Sequence, residues 1–237
     1  MPVVTLNGPI GSGGPEVGIE VSHKLHVDYV DRLILAEAAK RIGATVQAVA
    51  GKEQEVPRRR DRLGRFVQNL LERSAMSGAG GEPYFGPGIE VLLSRDYYSE
   101  GTEEPITQTS DLDDQRYIEV TSAVITDLAN GGNVVIVGRG GNLILKDIPG
   151  ILHVGIVAPI EARVRTIMDR EHLDDDASLR FVEEHETAQI GFYERFFKVH
   201  PQDPNNYHMM INMADLRVET AAQIVSHAAQ DLTLESK

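Results

Sequence analysis

A glycine-rich segment near the start of the chain, Gly8 to Gly14, has the residue types and spacing to bind an anion. A short apolar run, Val3–Leu6, precedes it, and apolar residues at helical spacing follow it from Val17 onward. Strand, glycine loop and helix in this order is the layout of a phosphate-binding loop, where backbone N–H groups and a helix start face one anion. A purely structural glycine turn has the same composition. The anion-binding interpretation assigns contacts to the loop's small residues: Gly8, Gly11, Ser12, Gly13 and Gly14.

The loop departs from the full phosphate-loop pattern at two positions. Gly8 and Gly13 have the glycine spacing of G-x-x-x-x-G-K-[ST], but Gly14 replaces the lysine and Pro15 the hydroxyl residue. That lysine normally contacts the β- and γ-phosphates, and the hydroxyl binds Mg²⁺. Lys24, the next lysine, lies on the same predicted helix, roughly 15 Å from Gly14 at about 1.5 Å per residue. A replacement charge must therefore come from another segment.

Composition narrows the classes of function. The chain has 237 residues, no cysteine and a formal net charge of -13. The missing cysteines exclude disulfides, thiol nucleophiles and thiolate metal sites, and the acidic balance argues against a nucleic-acid partner. The N-terminus does not resemble a secretory signal, and no apolar run approaches the length of a membrane span. We interpret the chain as cytoplasmic, with no membrane partner; a homo-oligomer stays open.

Strand and helix patterns alternate along the chain, which predicts an α/β fold with a mainly parallel sheet. The predicted strands are residues 3–6, 27–30, 134–137, 151–157 and 207–211. We expect one domain over residues 1–237, with 53–112 as a variable helical and loop insertion. Within it, the Gly/Pro-rich and acidic stretch 77–112 is expected to be the most mobile part, and residues 100–114 to form a loop.

Two arginines stand where open α/β sheets place ligand-binding groups, just after a strand. Asp31-Arg32 follows the second predicted strand, and Arg139 lies in a second glycine turn, Gly138–Gly141, after a continuous apolar run. For Asp31-Arg32, a plain helix cap followed by an exposed arginine is the structural alternative.

The sequence gives less support to a metal site, a serine nucleophile or a dinucleotide-binding site. The histidines show no H-E-x-x-H pattern, and His23 and His26 have no evident third ligand. No G-x-S-x-G nucleophile turn occurs, and the glycine loop lacks the G-x-G-x-x-G spacing of dinucleotide-binding folds.

Several motifs in chain order resemble the cytidylate kinase-like family, relatives of cytidylate kinase among the P-loop nucleoside monophosphate kinases. They are GPIGSGG, YVDR, VVIVGRGGNLIL, HVGIVAPIEARV and DPNNYHMMIN. The resemblance covers residues 3–52 and about 113–228 and is weaker over 53–112. It implies a three-layer α/β/α sandwich of P-loop NTPase type. It also implies ATP- and Mg²⁺-dependent phosphorylation of a nucleoside monophosphate such as CMP or dCMP, with ATP at the glycine loop.

The resemblance also implies roles for individual residues. Asp31 and Arg32 match the family's pair on the acceptor side. Arg139 matches the arginine of the family's glycine turn and would bind the acceptor phosphate, since a planar guanidinium meets phosphate oxygens in pairs. Arg163 falls where relatives carry an arginine after the fourth strand. The candidates for charge at the transferring phosphate are Arg139, Arg163 and Arg195, with Arg32 as a further source of replacement charge, and no residue is assigned to a metal. On this interpretation the 53–112 insertion is acceptor-side or lid-like.

The chain departs from the family at charged positions. Pro15 replaces an arginine, Gly14 the lysine of cytidylate kinase, Gly140 an aspartate, and Gln189 an arginine of the lid helix. Phosphoryl transfer depends almost wholly on positioning and charge. The alternative is therefore a catalytically inactive nucleotide-binding or interaction protein on the same fold.

Overall fold

The computed structural model describes residues 2–31 and 108–235. The described strands are β1 Val3–Asn7, β2 Asp28–Val30, β3 Val134–Val137, β4 Ile151–Val157 and β5 Met209–Asn212. The described α-helices are α1 Gly14–Leu25, α2 Gln108–Gly131, α3 Gly141–Ile144, α4 Ile160–Glu171, α5 Asp175–Phe197 and α6 Val218–Glu235. The expectations for Arg32 and for nearly all of the 53–112 insertion, including its mobility, lie outside the described residues.

The strands form one parallel sheet in the order β2-β3-β1-β4-β5. Strand β1 lies in the middle, with Leu6 opposite Val137 of β3 on one side and Val154 of β4 on the other. The carboxyl ends of parallel strands share one edge, so the loops after β1, β3 and β4 emerge side by side. The predicted parallel sheet is confirmed, and the glycine loop follows a central strand.

Side chains alternate between the two faces of the sheet and divide the core into two layers. Val4, Leu6 and Val154 pack against α1 and α6, while Val3 and Ile136 pack against α2 and the segment after α3. Helices cover both faces, as expected for a parallel sheet that is buried on both sides. The predicted α/β/α sandwich is confirmed. In the described part of the chain, no helix is both long and apolar enough to cross a bilayer.

Some predicted boundaries were wrong. Residues 108–114 belong to α2 rather than to a loop. No Gly or Pro interrupts them, and acidic residues near a helix start are favourable. Strand β5 begins at Met209 instead of Tyr207, because Tyr207 closes a 3₁₀ turn, its N–H donating to the Pro204 carbonyl at 3.1 Å.

Candidate phosphate site

The glycine loop leaves β1 and turns directly into α1. Gly11 and Gly13 adopt left-handed φ values of 77° and 89°. The Ser12 N–H donates to the Pro9 carbonyl at 3.2 Å, which closes the first part of the loop. Among the described residues, the Gly11, Gly13 and Gly14 N–H groups donate to no acceptor. Unpaired amides at a helix start are the geometry that anion-binding sites share, and anion binding by this loop remains a prediction.

Two of the glycines are required by close backbone contacts. A Cβ on Gly8 would lie 2.0 Å from the Ile156 carbonyl oxygen, and one on Gly11 would lie 2.7 Å from the Arg163 carbonyl oxygen. Gly14, in contrast, faces open space, with nothing within 4 Å of an added Cβ. Ser12 is buried, and its Oγ would lie 2.8 Å from a Cβ on Gly8, so the hydroxyl packs at the base of the loop.

Arg163 lies beside this loop in the first part of α4. Its side chain is buried, and its Nη2 pairs with Glu186 Oε2 of α5 at 2.9 Å. Glu186 Oε1 in turn accepts from Gln202 Nε2 at 3.2 Å. The Nε and Nη1 groups of Arg163 are also buried but have no partner in the described part of the chain. A buried guanidinium with donors left over is unusual, and phosphate oxygens are the acceptors that suit it best.

Arg139 lies at the same edge of the sheet. Its turn is tied to the end of β1 because the Gly138 N–H donates to the Leu6 carbonyl at 2.9 Å. Arg139 is half-buried with a left-handed φ of 53°, and its Nε is buried and has no partner within the described ranges 2–31 and 108–235. Gly140, where the resemblance to cytidylate kinase implies an aspartate, also has a positive φ, and a Cβ there would lie 2.5 Å from the Phe197 ring. That ring occupies the space a side chain at this position needs.

Helix α5 contacts the loop region through one face. Glu186, Gln189 and Tyr193 are spaced as neighbours on a helix surface. Gln189 Nε2 donates to the Gly8 carbonyl at 2.9 Å, and the Tyr193 hydroxyl donates to Asn7 Oδ1 at 3.0 Å. Burial raises the pKa of the Tyr193 phenol well above its usual 10, so it stays a donor at neutral pH. Sequence reasoning missed these contacts, although the 3- and 4-residue spacing of polar side chains indicated a common face.

A buried histidine lies on β4, on the sheet face away from α1. Burial, and secondarily His208, lower the pKa of His153 to about 4, so its ring is neutral. The ring hydrogen-bonds the Thr5 hydroxyl through Nδ1 at 2.8 Å and stacks on His208. We interpret His153 as a structural residue of the sheet.

Of the predicted arginines, Arg163 lies against the loop, Arg139 follows β3 at the same edge of the sheet, and Arg195 lies on another side of α5. Arg195 is exposed and stacks on the Phe196 ring at 5.6 Å. It lies about 160° around the helix from Tyr193, on the side away from the loop. Asp31 is buried and follows β2, so it shares the loop's edge of the sheet. The roles of Arg195 and Asp31 remain predictions. Within residues 2–31 and 108–235, no three His, Asp or Glu side chains group as metal ligands.

A parallel α/β/α sandwich with a glycine loop between its central strand and the next helix defines the P-loop fold class. Residues 3–215 match the model of the cytidylate kinase-like family. The chain belongs to that family, which confirms the resemblance read from its motifs. The family is one of nucleotide kinases, which use ATP and Mg²⁺ in general.

Two curated relatives match parts of the chain. A cytidylate kinase of Methanocaldococcus jannaschii is 32% identical over 108 residues, 45% of this chain and 61% of that protein. A uronate isomerase of Corynebacterium glutamicum is 25% identical over 105 residues, 44% of this chain but only 20% of that protein. The chain therefore spans less than two thirds of either relative.

A solved structure of an uncharacterized protein from Eubacterium ventriosum superposes with a TM-score of 0.62. The superposition covers 97% of this chain and 99% of that one, at 15% sequence identity. At this identity the likeness concerns the fold alone.

Proposed function

We propose that the protein transfers the γ-phosphoryl group of ATP to the phosphate of a nucleoside monophosphate, with CMP or dCMP as the first candidates. The bond from the γ-phosphorus to the β-phosphate oxygen breaks, and a bond to an acceptor phosphate oxygen forms. The products are ADP and a nucleoside diphosphate. The observation that carries the proposal is the row of unpaired amides at Gly11, Gly13 and Gly14, at the start of α1.

On the donor side, the loop amides bind the ATP phosphates, and the start of α1 adds partial positive charge. Mg²⁺ would be held largely through nucleotide phosphates, water and one or two carboxylates, and would supply positive charge at the phosphates. The Nε and Nη1 groups of Arg163, which have no partner among the residues that the structure describes, support a role for this residue as the cation that position 14 lacks.

On the acceptor side, Arg139 binds the acceptor phosphate beside the loop. Its turn is tied to β1 through the Gly138–Leu6 bond, so acceptor and donor phosphates meet at one edge of the sheet. Asp31 and Arg32 complete this side, by the family's pattern. Such positioning matters because the reaction gains most of its rate from holding the two phosphates in line.

The second candidate function is nucleotide binding without turnover. It is favoured by Gly14 and Pro15, which leave the loop without its lysine and hydroxyl, and by Gln189 in place of a lid arginine. The two candidates share the loop and differ only in whether charge is supplied to the transferring phosphate.

A two-stage experiment tests the proposal. Thermal shifts with ATP, CMP, dCMP, UMP and dTMP identify ligands, since a ligand at 100 times its Kd adds about 2.7 kcal/mol of stability. ADP release is then measured with each acceptor. We expect ATP and a pyrimidine monophosphate to stabilise the protein and to react. Stabilisation by ATP with no turnover on any acceptor favours the second candidate, and stabilisation by none of them contradicts both.

Arginine variants locate the replacement charge. Arg163→Met should lower kcat by about two to three orders of magnitude, as deletion of one charge-stabilising donor does. Arg165→Met is the matched control, because Arg165 lies on the same helix but is exposed. A kcat for Arg163→Met equal to that of the control would remove Arg163 from the mechanism.

A further inference from the structure

We infer that Gln189 is a positioning residue for the phosphate loop: its amide fixes the Gly8 carbonyl, so that the later loop amides stay directed at the anion. Gln189 Nε2 lies 2.9 Å from that carbonyl oxygen. A carbonyl oxygen only accepts, so the atom facing it must be the amide nitrogen. The inference rests on the proposed function only in assigning phosphate to the loop, since the bond belongs to the free protein.

The Gly8–Pro9 peptide is an unusual place for such a bond. Proline has no N–H, so the peptide offers a carbonyl and no donor. Strand β1 ends at Asn7, which pairs with Gly155, so this carbonyl lies just beyond the sheet ladder. The next carbonyl, of Pro9, accepts from the Ser12 N–H. Both carbonyls at the start of the loop are therefore held, one by α5 and one by the loop itself.

The other end of the Gln189 amide indicates that the Gly8 contact sets the side chain's orientation. Oε1 is buried and has no partner among the described residues. Leaving a buried amide oxygen unpaired costs free energy, which the bond to Gly8 offsets only in part. The side chain is therefore oriented so that its nitrogen donates to the Gly8 carbonyl, although its own oxygen then has no partner among the described residues.

Neighbouring contacts hold α5 in place for this role. On the same helix face, Glu186 pairs with Arg163 and Tyr193 donates to Asn7, the residue immediately before Gly8. The three side chains thus brace the loop from one direction, with Gln189 at the centre.

Hydrogen exchange in the free protein tests the inference. Gln189→Met keeps the side-chain length and removes the donor, and Gln223→Met on the exposed side of α6 is the matched control. We expect the Ser12 amide, whose N–H donates to the Pro9 carbonyl and closes the loop, to exchange about fivefold faster in Gln189→Met, the ratio for one typical lost hydrogen bond. Amides of β1 and β4 should be unchanged, and so should the control. Ser12 exchange equal to wild type in Gln189→Met would overturn the inference.

Two further measurements separate loop positioning from general stability. Gln189→Lys, which again supplies a donor, should restore slow exchange of the Ser12 amide; no restoration would count against the role of the bond. In calorimetric titrations, Gln189→Met should weaken ATP binding about fivefold and leave the Kd of CMP unchanged. An equal loss for both ligands contradicts a role specific to the loop. If the wild type binds no ATP, the proposed function fails, while the exchange data still decide whether Gln189 orders the loop.

Discussion

Replacing Gly8 by alanine tests the loop's close packing against the sheet. The added Cβ would lie 2.0 Å from the Ile156 carbonyl oxygen, although ordinary contacts begin near 3.4 Å. The obstacle is backbone of β4, so either the strand or the loop must shift by more than an ångström. Overpacking of this kind costs about 1–3 kcal/mol, and a clash with backbone belongs at the upper end.

The expected change is large enough to measure directly. A loss of about 3 kcal/mol lowers Tm by about 6–12 °C in a chain of this size. Gly14→Ala is the matched control, because nothing lies within 4 Å of its added Cβ and its φ is not positive. That variant should be as stable as wild type or more stable by about 0.4–1 kcal/mol, because alanine restricts the unfolded chain.

Thermal unfolding followed by circular dichroism compares the two variants under one buffer condition. ATP titration of the same samples should show binding lost in Gly8→Ala and retained in Gly14→Ala. A Gly8→Ala protein whose Tm stays within about 2 °C of wild type would refute the packing argument.

Three further predictions concern charged and titrating groups. Arg139→Ala should weaken CMP binding more than ATP binding in calorimetric titrations; equal losses contradict the acceptor role. Glu186→Ala leaves the buried Arg163 without its ion-pair partner and should cost about 3 kcal/mol in urea unfolding, whereas the exposed Glu184→Ala should cost little. Folding lowers the pKa of His153 to about 4, so below about pH 6.5 the unfolded chain binds a proton that the folded chain does not. This difference should lower the free energy of unfolding by roughly 3 kcal/mol from pH 7 to pH 4. His153→Asn removes this titration, so its free energy of unfolding should fall less than that of wild type over the same range; an equal fall in both proteins would contradict the prediction.

The sheet was largely predictable from the sequence, because strands buried on both faces are continuous apolar runs. Val134–Val137 and Ile151–Val157 begin and end as predicted. The loop was predictable for a related reason, since it joins such a run to a helical pattern through glycines. The start of β5 was less predictable, because Tyr207 closes a 3₁₀ turn instead of beginning the strand.

The contacts around the loop were not predictable, because they join segments that are far apart in the chain. Nothing local to Gln189 indicates that its amide meets Gly8, or that the Phe197 ring occupies the space beside Gly140. Helical periodicity does separate Arg195 from Tyr193, but it does not show which face of α5 meets the loop. The three-dimensional structure is needed to show which face of α5 contacts the loop.

Transfer of labelled phosphate is the sharpest test of phosphoryl transfer at a loop that lacks its lysine. Wild type and Arg163→Met are incubated with γ-³²P-labelled ATP, Mg²⁺ and CMP or dCMP, and the labelled diphosphate is counted. We predict labelled product with wild type and a loss of about two to three orders of magnitude in rate with Arg163→Met. Wild-type protein that binds ATP but labels no nucleoside monophosphate would contradict this prediction.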